Sequence, residues 1–317
     1  MLILKKFLLM KIIVIGPNYD NYKSASYQYE FMEYLKSSSE SYYHYQGNVI
    51  TIKQLISLSK FKPEIIFYNH GWLSDNVTLK DLKYTKVQGQ RNTDIKHVVF
   101  LNKEYVLLEE KLKEIKKFKF DLIFTHWHNL EKFNNTGIKS IFLPLAFTTR
   151  HMTKKSHKKL SERKYDLYFS GILQNWDRKE TQGDLRKKIQ NELFLCLFDF
   201  PIFKKFKYRS LNIYWKPFYK NRIKNIFSNL IHGKRLNQED YFNTLADAKC
   251  ILHTASPIGI ISTRVFEALG SGAVGLFSEE SNAHIIFENK VHFLGFNNIN
   301  DFINKIYQVK NSSKLTL

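Results

Sequence analysis

Arg264 and Glu267 are the two residues whose types and spacing point most directly to chemistry. They stand three positions apart near the start of a predicted helix, after a loop that contains Gly259 and after two good N-cap residues, Ser262 and Thr263. Such a loop offers unpaired backbone N–H groups and the positive end of the helix dipole, which attract anions. Arg264 adds a planar cation suited to phosphate oxygens, and a carboxylate at Glu267 can accept hydrogen bonds from a ribose diol. Together they predict a nucleotide site, although the spacing equally allows a simple surface pair between the two side chains.

The elements that position this pair are predicted from residues 254–278, which indicate a loop, a short helix, a tight turn and a buried strand. The helix is predicted to end at Gly270-Ser271-Gly272, because glycine accepts the left-handed backbone of a C-cap. We expect Phe266, Ala268 and Leu269 to face the core. The apolar run Ala273 to Phe277 is typical of a central parallel strand.

The ten residues from Arg264 to Ala273, RVFEALGSGA, resemble the donor-nucleotide motif of GT-B glycosyltransferases. They are most similar to the glycosyltransferase group 1 and spore-maturation-type branch. The resemblance implies that Glu267 binds the donor ribose, and that Arg264 and the preceding loop, with Gly259, Ser262 and Thr263, face the diphosphate. Many retaining members carry a second glutamate eight positions before the first, where this chain has Gly259, so retention or inversion of stereochemistry stays open.

The first half of the chain alternates apolar strands with helices. The helices are expected at Ser24 to Lys36 and at Lys103 to Lys117, and Val49 to Lys60 is expected to form a strand and a helix. This alternation predicts a parallel, doubly wound sheet with helices on both faces. The predicted central strands are Lys11 to Gly16, Glu64 to Tyr68, His97 to Leu101, Asp121 to Thr125 and Ser140 to Pro144.

Histidines follow two of these strands. The spacing of Asp121 and His126 resembles the Asp-(four residues)-His element of glycogen-synthase-like GT-B enzymes, whose histidine lines the cleft near the reacting sugar. This resemblance implies a catalytic role for His126, with His128 as the alternative. His70 and Trp72 follow another strand and are candidates for the acceptor side. If the reaction inverts, His126 or His70 could be the general base; otherwise, a histidine after a strand is often a surface or capping residue.

A polar, basic linker is predicted at residues 151–163, between an acceptor-side domain at 10–150 and a donor domain at 164–309. The second domain is expected to open with a strand that ends at Gly171. The resemblance implies that a basic residue after this strand contacts the diphosphate, and Arg178 is the first candidate and Arg186 the weaker one. A helix is expected from Asp184 to Phe198.

The segment from Pro201 to Arg235 has ten Lys or Arg residues, eight aromatic residues and no acidic residue. Interleaved rings and cations can bind nucleic acid, contact an anionic membrane or acceptor, or pack inward while the lysines stay solvated. All three interpretations remain open for this segment, with nucleic acid the least favoured.

The whole chain of 317 residues carries 49 basic and 29 acidic residues, a formal charge of +20. Such a field favours anionic partners, although a general bias toward lysine explains the charge equally well.

There is no apolar run of about 20 residues, so no membrane-spanning helix is expected. The two cysteines form no metal or redox pattern, which favours a cytoplasmic location. Within the cytoplasm, the inner face of the membrane is one expected location. Met10 is an alternative start to Met1, because the first strand follows it directly.

These observations predict a GT-B-like α/β fold, with two doubly wound Rossmann-like domains facing a central cleft. The implied activity is transfer of a sugar (hexosyltransferase-like) from a nucleotide-diphosphate-sugar donor to a hydroxyl of a glycan, lipid or protein. No metal is expected, since no Asp-x-Asp motif occurs, and the nucleotide sugar is a co-substrate rather than a cofactor. One alternative is a non-catalytic GT-B-like protein that binds an acidic glycan, an anionic membrane or nucleic acid. Another is a nucleotide-sugar epimerase on the same fold.

Overall fold

The computed structural model divides the chain into two compact units, Met1–Leu145 and Ala146–Leu317. Both contain a parallel sheet with helices, which confirms the predicted α/β class with Rossmann-like units. The finer bounds predicted for the domains and the linker stay predictions. The structure describes residues 10–16, 26–47, 49–69, 86–88, 94–145, 158–173, 185, 189, 213–219 and 238–312.

The main sheet of the first unit has the strand order β2–β1–β4–β6–β7–β8, and every pair is parallel. Because β1 lies between β2 and β4, the direction of winding reverses beside β1. β3 and β5 pair with each other in a small separate sheet. The strands are β1 (Lys11–Ile15), β2 (Ser41–Tyr45), β3 (Val49–Thr51), β4 (Ile65–Tyr68), β5 (Lys86–Gln88), β6 (Lys96–Phe100), β7 (Leu122–Thr125) and β8 (Ser140–Phe142).

Helices α1 (Ser26–Ser38), α2 (Ile52–Ser59) and α3 (Leu108–Phe118) belong to the first unit. The central strands are buried almost without interruption, as expected for a parallel sheet covered on both faces. Part of the core is aromatic: Phe67 and Phe100 contact each other and both contact Phe31 of α1. Helix α2 begins with a reciprocal capping box between Thr51 and Gln54.

The second unit has a parallel sheet in the order β10–β9–β11–β12–β13. Its core joins apolar residues of four of these strands to one face of the last helix, where Phe302, Ile306 and Val309 are buried. The elements are β9 (Tyr165–Leu173), β10 (Ile213–Tyr219), α4 (Gln238–Ala246), β11 (Ala248–His253), α5 (Thr263–Gly270), β12 (Val274–Ser278), β13 (Phe293–Phe296) and α6 (Ile299–Asn311).

The helix predicted from Lys103 to Lys117 begins later, at Leu108. Lys103 and Leu107 adopt left-handed backbone, with φ of 49° and 50°, which an α-helix cannot include. Tyr105, which precedes the observed helix, is 43% exposed. Within the helix, Leu112 and Ile115 are buried and form its apolar face.

Two further differences concern the second unit. Strand β9 does not end at Gly171 as predicted but continues to Leu173, because β10 pairs with it from Leu167 to Leu173. Arg163, expected in a solvated linker, is only 4% exposed. Its guanidinium donates to the carbonyl oxygens of Ala248 (2.9 Å) and Ser271 (3.3 Å), so the end of the predicted linker packs onto the unit.

No helix in the described part of the chain has the length and the apolar character needed to cross a bilayer. Cys250 is a free thiol buried in strand β11, and burial raises its pKa far above the usual range.

Candidate functional site

The strand order of the second unit reverses between β9 and β11. In open α/β sheets, ligands bind beyond the carboxyl ends of the strands at such a point. Strand β11 ends there at His253, and the following loop leads directly into α5. The register between β11 and β9 pairs Ile251 with Tyr168. If this register is continued by three residues, Gly171 lies level with Thr254. Gly171 and the loop before α5 therefore occupy the same edge of the sheet.

Helix α5 begins where the sequence predicts. Ser262 is the N-cap, and its Oγ accepts a hydrogen bond from the backbone N–H of Arg264 (3.1 Å), while Thr263 is the first helical residue. The helix is anchored by Val265 and Ala268, which are buried. Ala268 is buried as predicted, whereas Phe266 and Leu269, also expected in the core, are only half-buried.

The loop before α5 is held in an unusual shape. Ile258 and Gly259 both have left-handed backbone, with φ of 52° and 75°, and this conformation is strained for a β-branched residue such as Ile258. Asn282, in the loop after β12, donates its side-chain amide to the carbonyl oxygen of Gly259 at 2.9 Å. The second loop thus fixes the backbone of the first.

Arg264 and Glu267 contact each other, which is the surface-pair interpretation that the spacing allowed. Arg264 Nη1 lies 3.0 Å from Glu267 Oε2, and the two side chains are 33% and 13% exposed. Tyr241 of α4 also contacts this pair: its hydroxyl donates to the same Oε2 at 2.5 Å, and its ring lies 5.2 Å from Arg264 Cζ. The pair is therefore part of a three-residue cluster and stands at the first turn of α5.

The sequence analysis missed two residues at this edge, Tyr241 and His253. His253 is 4% exposed, and its Nε2 lies 3.4 Å from the Oγ of the N-cap Ser262. A histidine that ends a strand before a helix start was a usable signal, since it repeats the pattern that singled out His126. Tyr241 gave no comparable signal, because it lies 26 residues from Glu267 on another helix.

In the first unit, His126 follows β7 and is 4% exposed. Its Nδ1 lies 2.9 Å from the carbonyl oxygen of Leu143, so Nδ1 bears the proton and Nε2 the lone pair of the neutral ring. Burial lowers the pKa of His126, while the charge of Glu104 and the Leu143 carbonyl act in the opposite direction. Burial thus favours the neutral form of the imidazole.

Glu104, which the sequence analysis also missed, holds the loop that contains His126. It is 1% exposed, and its Oε1 accepts hydrogen bonds from the hydroxyl of Thr125 (2.5 Å) and the backbone N–H of His126 (2.7 Å). Asp121, the other half of the predicted Asp–His spacing, lies at the opposite end of β7. There it accepts from the backbone N–H of His97 (2.8 Å), so it stabilises the sheet rather than the loop.

Several predicted residues are not brought together with these. His128 is half-buried, with its ring 6.4 Å from that of Phe142. His70, Trp72, Arg178 and Arg186 lie outside the described residues, as does most of the segment Pro201 to Arg235. In the ranges that the structure describes, no group of three or more His, Cys, Asp or Glu side chains could hold a metal ion.

Comparison with known families matches residues 199–316 to the glycosyl transferase-like family. This match includes α5 and its Arg264–Glu267 pair and confirms the predicted glycosyltransferase resemblance over that segment; the spore-maturation branch stays a prediction. No curated protein gave a significant match.

Among solved structures, the chain is similar to two crystal structures of Anabaena Alr3699/HepE, one in complex with UDP and one with UDP and glucose. The identities are 9% and 10%, and the TM-scores are 0.47 and 0.48. The alignments cover 94% and 96% of this chain and 89% and 90% of the HepE chains.

Proposed function

We propose that the chain, whose residues 199–316 match the glycosyl transferase-like family, moves a sugar from a nucleotide-diphosphate-sugar donor to an acceptor hydroxyl. The observation that supports this most directly is the position of Arg264 and Glu267 at the first turn of α5. This turn follows the carboxyl end of β11 at the point where the strand order reverses, which is the usual ligand position in such sheets.

In this proposal, α5 and Arg264 bind the diphosphate. Negative charge grows on the diphosphate as the glycosidic bond breaks, and the positive end of the α5 dipole at the first helical turn can stabilise that charge. The Arg264 guanidinium, one-third exposed, turns from the single charge of Glu267 to the larger charge of the ligand. Because the chain itself supplies this positive charge, we propose that the reaction needs no metal.

Glu267 binds the ribose of the donor. A carboxylate is an acceptor with about four lone-pair sites, so it can hold Tyr241 and still accept hydrogen bonds from two vicinal hydroxyls. Ser262 and Thr263 start the helix, and Gly259 lets the loop approach the ligand closely. We propose Gly171 as a further donor-side residue because of its position in the sheet. Arg178 is proposed for the same side because of its position in the sequence.

On the acceptor side we propose His126 as the residue near the reacting hydroxyl, with His128, His70 and Trp72 as further candidates. The support for His126 is the hydrogen bond from its Nδ1 to the Leu143 carbonyl, because this tautomer makes Nε2 the basic nitrogen that a general base requires. The transferred sugar is proposed to be a hexose, and the acceptor a glycan, lipid or protein hydroxyl. A cytoplasmic location, at the inner face of the membrane, belongs to the same proposal.

The test is a thermal-shift panel of nucleoside diphosphates and nucleotide sugars, followed by an assay of nucleoside diphosphate release. A ligand that binds only the folded state raises the melting temperature by mass action. We expect one nucleotide to stabilise the wild type and to stabilise Glu267→Gln much less. Glu280→Gln, which removes a charge from an exposed glutamate in the same unit, is the matched control and should behave like the wild type.

The release assay is repeated with a chelator, and unchanged turnover is the expected result for a reaction without a metal. If no nucleotide shifts the melting temperature at millimolar concentration, the donor-site assignment is wrong. Salt-dependent binding of polyanions would then support the non-catalytic alternative.

A further inference from the structure

Tyr241 connects helix α4 to the proposed ribose ligand. Its hydroxyl donates to Glu267 Oε2 at 2.5 Å, and Arg264 contacts the same oxygen at 3.0 Å. Arg264 also lies over the tyrosine ring, with its Cζ 5.2 Å from the ring centroid. Two donors that also contact each other therefore hold the Oε2 atom of the carboxylate.

The position of the Tyr241 ring is fixed by its surroundings. It packs at 5.1 Å against Phe242 and at 6.4 Å against Tyr168 of β9, both of which are buried. Both contacts have the edge-to-face geometry that aromatic pairs favour. The hydroxyl therefore has a defined place rather than the freedom of an exposed side chain.

The two side chains that donate hydrogen bonds to Glu267 behave differently when the nucleotide sugar binds. Arg264 is needed at the diphosphate, so its contact with the carboxylate is lost or weakened. The Tyr241 hydroxyl has no such second partner in the proposed reaction, so it stays on Oε2. A carboxylate that is held in place before the ligand arrives loses less freedom on binding, and its hydrogen bonds to hydroxyls are correspondingly more effective.

We propose that Tyr241 is a positioning residue that sets the Glu267 carboxylate for the vicinal diol of the donor ribose, and so determines the preference for ribonucleotides over 2′-deoxyribonucleotides. This inference rests on the proposed function. A merely structural role, in which the hydroxyl only fastens α4 to α5, would lower stability without changing that preference.

The experiment compares the affinities of one nucleoside diphosphate and its 2′-deoxy form, for the wild type and for Tyr241→Phe. The ligand is whichever diphosphate stabilises the wild type in the panel above, and binding is measured by calorimetry. Phenylalanine keeps the ring and its contacts and removes only the hydroxyl. We expect the wild type to prefer the ribo form at least tenfold, and Tyr241→Phe to reduce this preference about fivefold, because the variant weakens binding of the ribo form more than that of the 2′-deoxy form, which keeps only one hydroxyl of the diol. Tyr307→Phe, on α6, is the control and should keep the wild-type ratio.

Glu267→Gln separates the possible failures. If the wild type binds no nucleoside diphosphate, or if Glu267→Gln keeps the ribo preference, the proposed function and this inference both fail. If Glu267→Gln loses the preference but Tyr241→Phe keeps it, or weakens both ligands equally, the inference about Tyr241 alone is wrong.

Discussion

Asn282 donates its side-chain amide to the carbonyl oxygen of Gly259 at 2.9 Å, and this bond joins the loop after β12 to the loop before α5. Both residues have left-handed backbone, with φ of 56° at Asn282 and 75° at Gly259. Ile258, the residue before Gly259, also has left-handed backbone. A β-branched residue adopts this conformation only when its surroundings enforce it. The amide of Asn282 is one of the groups that enforce it.

We predict that Asn282→Gly weakens binding of the nucleotide. Glycine accepts the left-handed backbone without strain, so this change removes the amide and leaves the backbone preference intact. Loss of one hydrogen bond of about 1 kcal/mol should raise the dissociation constant about fivefold. Lys290→Gly, at another left-handed position with φ of 67°, is the control and should bind like the wild type. Equal affinities of Asn282→Gly and the wild type would show that the loop is fixed by other contacts.

Arg264 is predicted to affect turnover more than binding of the nucleoside. Removing one group that stabilises a developing oxyanion typically lowers kcat by about 100-fold or more, which we expect for Arg264→Ala. Arg264→Lys keeps the charge but loses the planar fork, so an intermediate loss is expected. The measurement is release of the nucleoside diphosphate under saturating donor.

The control for Arg264 is Lys305→Ala, which breaks a different helical ion pair in the same unit, between Lys305 and Asp301 at 2.7 Å. Such a pair contributes about 0.5 kcal/mol to stability, and turnover should be unchanged. If both variants lower turnover to the same extent, the effect comes from weakened folding and not from the site.

The start of α5 could be predicted from the sequence because its signals are local. Ser262 caps the helix and Gly270 ends it within a few residues of one another, and the apolar run after Gly272 forms β12. The contact between Arg264 and Glu267 follows from their spacing alone. The roles of Tyr241 and Asn282 could not be predicted, because each reaches its partner from an element more than 20 residues away.

The strands that were foreseen are continuous apolar runs such as Ile12 to Ile15. Strand β2, with the sequence SYYHY, was missed because its residues are polar or aromatic and each is only half-buried at the edge of the sheet. Strand β10 was missed for a related reason, since a lysine and a proline interrupt its aromatic run. Edge strands need less apolar surface than central ones, and that weakens the pattern on which a sequence prediction depends.

Arg163 is predicted to be essential for the stability of the second unit. It is buried and donates to the carbonyl oxygens of Ala248, the first residue of β11, and Ser271, which follows α5. Arg163→Met keeps much of the side-chain volume but leaves both acceptors without their charged donor. We expect the free energy of unfolding to fall by about 2–4 kcal/mol in urea titrations. The neighbouring exposed change Lys164→Met should alter it by less than about 0.5 kcal/mol. Similar stabilities of the two variants would mean that water replaces the Arg163 contacts.

His126 is predicted to make the protein less stable as the pH falls below neutrality. Burial lowers its pKa in the folded state below the unfolded value of 6.5, so the unfolded chain binds a proton that the folded chain excludes. The free energy of unfolding therefore rises with pH in this window: the contribution is complete above the unfolded pKa and is lost as the pH falls toward the folded one. The slope reaches at most about 1.4 kcal/mol per pH unit.

The measurement is the free energy of unfolding at pH 7.5 and pH 5.5 for the wild type and for His126→Asn. The asparagine amide can replace Nδ1 as donor to the Leu143 carbonyl but does not titrate, so the variant should lose less stability between the two pH values than the wild type. His284→Asn, at an exposed histidine of the second unit, is the control and should keep the wild-type difference. Parallel pH dependences of the wild type and His126→Asn would show that folding does not lower the pKa of His126.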